Sequence, residues 1–331
     1  MRIKTLSSRG RVLIAVLVLL MPVGIGASAT SAHAANPVAW TVLVGNQAHH
    51  KAIQGLQFLP GDLTIDQGDS VTWKANAGEP HTVTFVDGGV PQTPSDLGEF
   101  NPGDPSQTTQ TASHDFDGSS TFESGVLTTL PAFSALPPFV QLHKSYTLNF
   151  PSDLPVGTYT YYCRVHGVMM RGEIHVQAAG SAYPATQADY DAQSSFVAGA
   201  IVADGRAELE KAKALSGSHK VVVGADDGIA MLMRFVKGKV VIHKGETVKW
   251  ANPLNGIPHT VTFGAPVAPP ADPTAPYGHP ARYKGGQLSS GVMGPQGTFK
   301  VTFKKVGKFP YRCFFHHDLG MKGLVVVKPN S

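Results

Sequence analysis

Short segments in which apolar and polar residues alternate recur along this chain of 331 residues. Between positions 61 and 85, Leu63, Ile65, Val71 and Trp73 are separated by polar neighbours, and a spacing of two residues predicts strands with one buried face. Glycines precede later apolar runs and indicate turns into further strands. Short strands at regular intervals, separated by Gly and Pro, predict an all-β fold of Greek-key sandwiches or barrels.

Two segments depart from this strand pattern. Residues 188–215 are rich in good helix formers, and Glu208 and Lys211 are spaced to pair on one face, so a helix is predicted there. Gly205 predicts a break in that helix. Residues 86–119 are rich in Gly, Pro, Ser, Thr and Asp without periodicity, which predicts an inserted surface loop.

The chain contains an internal repeat. Residues 61–73 align with residues 238–250, and the run Pro-His-Thr-Val-Thr-Phe of residues 80–85 recurs identically at 258–263. Shorter motifs repeat as well, namely Ser124-Gly125-Val126 with Ser290-Gly291-Val292, and Met170-Arg171-Gly172 with Met321-Lys322-Gly323. Agreement at so many aligned positions indicates a duplicated domain. The predicted organisation is domain 1 at 35–178 with its loop insertion at about 86–119, a helical linker at 179–218, and domain 2 at 219–331.

The first 34 residues resemble an export signal. Basic residues precede an apolar run over 12–25, and small residues follow as far as Ala34. This order predicts a signal peptide over residues 1–34 that is removed before Ala35, so that the mature protein is secreted or extracytoplasmic and has no membrane span. The alternative is a retained membrane anchor, for which the apolar run is short.

Each copy retains residues that the core of a β-sandwich does not require. An early His is followed by Cys, His and Met near the end of the copy. The two matching sets are His81, Cys163, His166 and Met170 in copy one, and His259, Cys313, His316 and Met321 in copy two. A thiolate, two imidazoles and a thioether favour copper that cycles between Cu(I) and Cu(II). Zinc is the competing metal, because Cys and His bind it well, but zinc does not need the methionines.

Cys163 and Cys313 are the two cysteines of the chain. In an exported protein a disulfide between them is the default expectation. The repeat argues against that disulfide, because it puts one cysteine into each set of candidate ligands.

These motifs resemble those of the blue copper proteins, the cupredoxins, of the plastocyanin, amicyanin and pseudoazurin kind. Residues 76–85 are similar to the segment with the first His ligand of that family, and residues 161–172 and 311–323 are similar to its ligand loop. The resemblance implies two tandem cupredoxin Greek-key β-sandwiches joined by a helical linker, with one type 1 (blue) copper in each. Thr82 and Thr260 depart from the pattern, because plastocyanins usually have Asn after the first ligand.

The resemblance also implies a role in electron transfer. The second His of such a site normally lies near the surface, where its imidazole edge is the exit for an electron, so we expect His166 and His316 to lie there. In copy one Met169 and Met170 are both within reach of the axial position. Met170 is preferred, because the x-Gly that follows it matches copy two.

Further copper centres are not expected. Multicopper oxidases need additional imidazoles, usually in His-x-His pairs, and the 14 histidines include no such pair. The sequence therefore predicts a secreted copper-binding electron-transfer protein that is not an enzyme. Two alternatives stay open, namely a copper-binding or storage protein and a multicopper oxidase completed by oligomerisation.

Charge is divided unevenly between the two copies. The chain has 27 basic and 23 acidic residues, and loss of the four basic residues of the signal leaves a net charge of zero, so no nucleic-acid partner is expected. Domain 1 has 5 basic and 13 acidic residues, whereas domain 2 has 15 and 5. Opposite fields of this kind steer association. We expect them either to hold the domains together or to address different redox partner proteins.

Overall fold

The computed structural model describes residues 36–254, 256–265 and 274–330. They form two β-sandwich domains with a long helix between them, which confirms the predicted tandem arrangement of all-β domains joined by a helix. The predicted signal peptide lies outside the described residues. Among the residues that are described, no helix is both long enough and apolar enough to cross a membrane.

The strands of domain 1 follow one another along the chain between residues 39 and 177. They are β1 (Ala39–Ala48), β2 (Ile53–Leu59), β3 (Asp62–Asp66), β4 (Ser70–Ala75), β5 (Thr84–Phe85), β6 (Phe122–Glu123), β7 (Val126–Leu127), β8 (Leu142–His143), β9 (Ser145–Asn149), β10 (Gly157–Cys163) and β11 (Gly167–Gln177). Two short helices, α1 (Pro94–Leu97) and α2 (Pro105–Thr108), lie between β5 and β6, and the long helix α3 (Gln187–Leu215) follows β11.

Domain 2 repeats this order of strands. They are β12 (Lys220–Asp226), β13 (Ala230–Val236), β14 (Lys239–His243), β15 (Thr247–Ala251), β16 (Thr262–Phe263), β17 (Pro276–Tyr277), β18 (Leu288–Ser290), β19 (Thr298–Thr302), β20 (Gly307–Arg312) and β21 (Lys322–Lys328). Short 3-10 helices occur at Pro280–Arg282 and His317–Leu319.

Most strands of each domain lie in two layers of matching order, while β7 and β8 form a separate two-stranded sheet and β17 has no equivalent in domain 1. In domain 1 the layers are β2-β1-β4-β9 and β3-β11-β10-β5-β6. In domain 2 the layers are β13-β12-β15-β19 and β14-β21-β20-β16-β18-β17. The sequence repeat is therefore also a repeat of topology, so equivalent residues occupy equivalent places in the two sandwiches.

One sheet runs through both domains. Strand β2 of domain 1 pairs antiparallel with β13 of domain 2, with Gly55 opposite Ala230 and Ile53 opposite Leu232. The first layers of the two domains thereby form a continuous eight-stranded sheet. Because β2 and β13 pair with each other, neither presents a free edge to solvent.

Helix α3 packs across this shared sheet. It is one uninterrupted helix, so the predicted break at Gly205 is wrong. Gly205 is buried where the helix meets β2, and a Cβ there would lie 2.4 Å from Cγ2 of Ile53. The glycine allows close packing rather than a turn. Residues of α3, β2, β12 and β13, among them Ala212 and Leu232, share one buried apolar cluster, so the helix holds both domains together.

The inserted segment 86–119 is packed onto domain 1 more closely than a surface loop. It contains α1 and α2, and its Phe116 is fully buried against Phe85 and Phe150, with ring centroids 4.7 and 5.3 Å apart. The guanidinium of Arg164 donates to the Leu97 carbonyl at 3.0 Å.

A trio of aromatic rings fills the centre of each sandwich. In domain 1 the rings of Trp73, Phe85 and Tyr161 lie 5.2 to 5.7 Å apart between centroids. In domain 2 Trp250, Phe263 and Tyr311 have the same arrangement. The ring of each tyrosine lies over the repeated Met-x-Gly motif, where a Cβ on either glycine would come within 2.4 Å of it. The trio therefore fixes the strand after the early His against the strand that ends at Cys.

Candidate metal centres

The imidazole and thiol groups predicted as ligands converge in each domain. In domain 1 the Cys163 sulfur lies 3.7 Å from Nδ1 of His81 and 3.3 Å from Nδ1 of His166. In domain 2 the Cys313 sulfur lies 3.7 Å from Nδ1 of His259 and 3.5 Å from Nδ1 of His316. In each trio, one ligand atom from each of the three residues lies within 4.8 Å of the other two.

The sulfur-to-nitrogen separations suit one metal ion in each domain, and the two Nδ1 atoms of domain 2 lie closer together, at 3.0 Å. Bonds of about 2.0 to 2.3 Å at trigonal angles place neighbouring ligand atoms roughly 3.5 to 3.7 Å apart. Cys163 and Cys313 are both buried and free, and they belong to different apolar clusters. The disulfide alternative is therefore wrong, and each thiol faces its own pair of imidazoles.

Backbone hydrogen bonds position the ligand residues in the same way in both domains. The main chain of His81 exchanges two hydrogen bonds with Leu127, and His259 does the same with Met293. Three residues further on, β5 pairs with β10, and β16 pairs with β20. The early His and the Cys therefore lie beside two strands that pair with each other.

The threonine after the early His contacts the Cys loop through two groups. The backbone N–H of Thr82 donates to the Cys163 sulfur at 3.4 Å, and Thr260 donates in the same way in domain 2. Their hydroxyl groups accept hydrogen bonds from the N–H of Arg164 and Phe314, at 2.8 and 2.7 Å. Despite the departure from Asn, the sulfur thus retains a hydrogen-bond donor and the Cys loop stays tied to the His strand.

The repeated Ser-Gly-Val motif supports the same strand. Ser124 Oγ accepts a hydrogen bond from the Val83 N–H at 2.7 Å, and Ser290 Oγ accepts one from Val261 at 2.9 Å. The motif is evident in the repeat, but its positioning role follows only from these contacts.

The methionines differ in burial. Met170 is buried in the same apolar cluster as Cys163, whereas Met169 is 65% exposed. Met321 is buried with Cys313, and its carbonyl accepts a hydrogen bond from the Cys313 N–H at 3.1 Å. The geometry therefore favours Met170 over Met169 as the partner of the domain 1 trio.

Burial controls the protonation of the histidines. It lowers the pKa of His81, and it lowers the pKa of both His259 and His316 to about 3, so these imidazoles are neutral and free to bind metal. Burial also acts to lower the pKa of His166, but Cys163 and Glu79 outweigh it and raise that pKa to about 10. Burial also raises the pKa of the Cys313 thiol to about 11, so a metal ion has to displace a proton in either domain, from His166 in the first and from Cys313 in the second.

The imidazole edges of His166 and His316 are buried, so the expectation that they lie near the surface is wrong. Their side chains are 9% and 6% exposed. Both Nε2 atoms face one carboxylate of domain 1, because Glu79 Oε1 lies 3.8 Å from His166 Nε2 and 4.0 Å from His316 Nε2. The sequence analysis did not identify Glu79 as a site residue. One difference between the copies could have pointed to it, because the residue before Pro-His is acidic in copy one and is Ile257 in copy two.

An ion pair beside the domain 1 trio has no counterpart in domain 2. Arg164, which follows Cys163, is bonded to Glu123, and both side chains are largely buried. Burial raises the pKa of Glu123 to about 7, although Arg164 opposes the rise. The equivalent positions of domain 2 are Phe314 and Ser289. The two sites therefore agree in candidate ligands and differ in the charges around them.

Comparison with known families gives a match in both domains. A family described as copper binding proteins, plastocyanin/azurin family, matches residues 46–123 and 219–328. The first match includes His81 and ends before Cys163. The second match includes all four candidate ligands of domain 2.

Similar proteins include plastocyanins of plants. The chloroplastic plastocyanin of Physcomitrium patens is 30% identical over 114 residues, which are 34% of this chain and 60% of that protein. The chloroplastic plastocyanin of Silene latifolia subsp. alba is 41% identical over 75 residues, which are 22% of this chain and 42% of that protein. The chain thus spans 60% or less of the length of these relatives.

Among solved structures, the reduced auracyanin of Roseiflexus castenholzii aligns with 16% identity and a TM-score of 0.24. The alignment covers 33% of this chain and 95% of that one.

Proposed function

The chain belongs to the plastocyanin/azurin family of copper-binding proteins, and from this membership we propose that it is an exported electron carrier with one type 1 copper in each domain. The observation on which the proposal rests is the pair of buried His-Cys-His trios. Each has a backbone N–H directed at the sulfur, and each has a buried Met in the same cluster.

In this proposal the ligands of domain 1 are His81, Cys163, His166 and Met170, and those of domain 2 are His259, Cys313, His316 and Met321. Bound copper supplies one-electron chemistry by cycling between Cu(I) and Cu(II). The protein supplies a frame for the ion, because backbone hydrogen bonds fix the early His and a threonine hydroxyl ties the residue after each Cys to the strand beside it. Rigid ligands change little in geometry when the charge of the ion changes, which favours fast electron transfer.

The donor set supports copper over zinc. Zinc in a structural site takes four strong ligands in a tetrahedron, usually from Cys and His. Here three strong donors are accompanied by a thioether, and a trigonal His-Cys-His set with a weak axial Met is a copper arrangement. The two proposed centres also differ in surroundings, because Arg164 and Glu123 accompany only the first, so we expect them to have different reduction potentials.

The proposed partners follow from the charges of the two domains, and the proposed location follows from the N-terminal segment. Residues 1–34 support export, where copper is accessible. The opposite charges of the two domains do not pair across the interface, because none of the ion pairs that Lys or Arg makes among the described residues joins one domain to the other. This favours separate redox partners, a basic one for domain 1 and an acidic one for domain 2.

Copper loading of the full mature chain tests the proposal. We expect two equivalents of copper, an intense visible band, and an electron paramagnetic resonance spectrum with the small copper splitting of a Cu–thiolate site. Cys163→Ser and Cys313→Ser should each remove about half of the band and one equivalent, because the thiolate is both ligand and chromophore. A pale protein that binds less than one equivalent would contradict the proposal. Colourless Cu(I) binding would indicate storage, and oxygen consumption with a phenol would indicate an oxidase.

The two neighbouring methionines provide a matched control. Met170→Leu should shift the visible spectrum and the potential of domain 1, because it replaces the proposed axial thioether by a side chain of similar volume. Met169→Leu should leave both unchanged, because the Met169 side chain is exposed. The reverse result would transfer the axial role to Met169.

A further inference from the structure

At the interface between the domains, the imidazole rings of His166 and His316 lie on either side of the Glu79 carboxylate. In each ring Nδ1 faces the Cys sulfur of its own domain and Nε2 faces Glu79. Each Nε2 lies within 4.0 Å of the same carboxylate oxygen, so the two ring edges are at most about 8 Å apart. His166, Glu79 and His316 therefore form a short connection between the two candidate metal centres.

Glu79 is held in place between the rings. Its backbone N–H donates to Gln54 Oε1 at 3.1 Å, and Gln54 lies on β2 opposite Met231 of β13. The adjacent carbonyl of Gly78 accepts a hydrogen bond from the Thr128 hydroxyl at 2.8 Å. The second oxygen of Glu79 is buried and has no hydrogen-bond partner among the described residues. A carboxylate in such a place is costly to bury, and the two Nε2 groups that face it at 3.8 and 4.0 Å are the polar groups beside it.

The ligand loop of domain 2 is locked onto domain 1 at this point. Leu319 is buried in the apolar core cluster of domain 1 and packs onto the main chain at Gly78, where a Cβ would lie 2.9 Å from its Cδ2. Asp318 accepts a hydrogen bond from the Ser134 N–H at 2.6 Å. Arg234 donates to the Leu319 carbonyl and to the His50 carbonyl, at 2.7 and 2.6 Å. The separation of the two imidazoles is thus set by packing rather than by chance approach of mobile domains.

Burial of these edges changes which route an electron can take. Little of either ring is open to a partner protein, because the side chains of His166 and His316 are only 9% and 6% exposed. Electron tunnelling weakens steeply with distance, so the nearest acceptor to either edge is the other centre. The water-excluded contact also limits the solvent reorganisation that accompanies a change of charge.

We propose that His166, Glu79 and His316 form an internal electron bridge, so that the two centres exchange electrons within one chain. This inference rests on the proposed function, because it requires copper in both domains. With copper held by both trios, an exchange would oxidise a Cu(I) ion at one centre to Cu(II) and reduce a Cu(II) ion at the other to Cu(I), and no bond or proton would need to move. One domain can then receive an electron from a donor while the other delivers it to an acceptor of opposite charge.

The difference between the two copies supports a specific role for Glu79. At the equivalent position of domain 2, Ile257 is partly buried and packs on the apolar cluster of domain 1. An apolar residue is thus sufficient to fill this part of the interface. The carboxylate in domain 1 adds a polar group between two imidazole edges, which filling alone does not require.

The distance between the centres gives the first test. In the copper-loaded full chain, pulsed dipolar electron paramagnetic resonance should give one narrow distribution of Cu(II)–Cu(II) distances. That signal should vanish in Cys163→Ser and in Cys313→Ser. A broad distribution, or no coupling while two blue coppers are present, would overturn the internal bridge and leave the proposed function intact. Absence of blue copper would instead contradict the proposed function.

Kinetics give the second test. A pulse-generated reductant supplied at less than one electron per chain should produce a rapid bimolecular phase followed by a first-order redistribution between the two sites. The rate of redistribution should not depend on protein concentration, and the phase should be absent from both single-copper variants. A redistribution whose rate rises with protein concentration, or no redistribution at all, would show that exchange within the chain does not occur.

Two substitutions that fill the same space separate the bridge from simple packing. Glu79→Gln keeps polar atoms beside both Nε2 groups, whereas Glu79→Ile introduces the residue that domain 2 has there. We expect Glu79→Gln to keep a redistribution rate close to that of the wild type and Glu79→Ile to slow it about tenfold or more. Both should leave the visible spectra and the dipolar distance unchanged. Equal rates in the two variants, or a loss of rate only together with a longer distance, would exclude Glu79 from the bridge.

Discussion

Residues next to the candidate ligands support those ligands in the same way in both domains. Thr82 and Thr260 are fully buried, and each serves the sulfur with its N–H and the residue after Cys with its hydroxyl. Ser124 and Ser290 hold the strand from the other side. The identical sextet Pro-His-Thr-Val-Thr-Phe is therefore a structural unit, because its first Thr contacts the Cys loop and its final Phe belongs to the aromatic trio in both domains.

Removal of the buried Thr260 hydroxyl should lower the free energy of unfolding. Thr260→Val keeps the shape of the side chain but leaves the Phe314 N–H without its acceptor, so we expect the free energy of unfolding to fall by about 1 to 3 kcal/mol. Chemical denaturation of the metal-free chain would measure it. Thr247→Val is the control, because the Thr247 hydroxyl bonds to Thr302 at an exposed position, and it should change the same quantity by less than about 0.5 kcal/mol. Equal effects would mean that the Thr260 hydroxyl has no special role.

Among the elements, α3 differs most from its expected role. It was expected as a linker with a break, whereas it is a continuous helix packed on strands of both domains. Thr186 and Asp189 form a capping box at its N-terminus. The stability of the helix therefore depends on the sheet beneath it as well as on its own sequence.

Two glycines in α3 provide a matched comparison. Gly199→Ala should raise the free energy of unfolding by about 0.5 to 1 kcal/mol, because a Cβ there meets no atom within 4 Å and Ala favours helix. Gly205→Ala should lower it, because the Cβ would lie 2.4 Å from the stiff Ile53 side chain. Denaturation midpoints of the two variants measure the contrast. A stabilising Gly205→Ala would mean that the helix can shift away from β2 without cost.

The two domains form one continuous structure rather than two separate domains joined only by a linker. The shared sheet, α3 and the Leu319 contact connect the domains at three places. This connection gives the two halves a defined separation, on which the proposed internal exchange depends. The two domains of this single body carry opposite net charges, which can serve two partners.

Separation of the halves should expose the shared edge. An isolated domain 2 of residues 219–331 would present β13 and Leu319 to water, so we expect it to self-associate and to unfold at a lower denaturant concentration than the full chain. Analytical ultracentrifugation would detect the association. A lysine at Met231, which lies opposite Gln54 in the shared sheet, should restore a monomer. A monomeric domain 2 of unchanged stability would show that the shared sheet contributes little.

The repeat, the strand pattern and both sets of candidate ligands were readable from local sequence. Strands follow from alternation between neighbours. The Cys, second His and Met of each set stand a few residues apart, whereas the early His is 82 or 54 residues before the Cys and was found through the repeat. The structure brings His81, Cys163 and His166 together, and likewise their counterparts, because the same core trio joins the same two strands in each copy. The family match confirms the cupredoxin resemblance.

Contacts between residues that lie far apart in the chain decided the rest. Gly205 resembles a helix breaker locally, but its role depends on Ile53, which is remote in the sequence. The edges of His166 and His316 were expected at the surface of separate domains, and they are buried because β2 pairs with β13 and brings the ligand loops face to face. Glu79 acquires its place in the same way. Periodicity and spacing describe one domain at a time, whereas the interface depends on the complementarity of two complete surfaces, which no local pattern encodes.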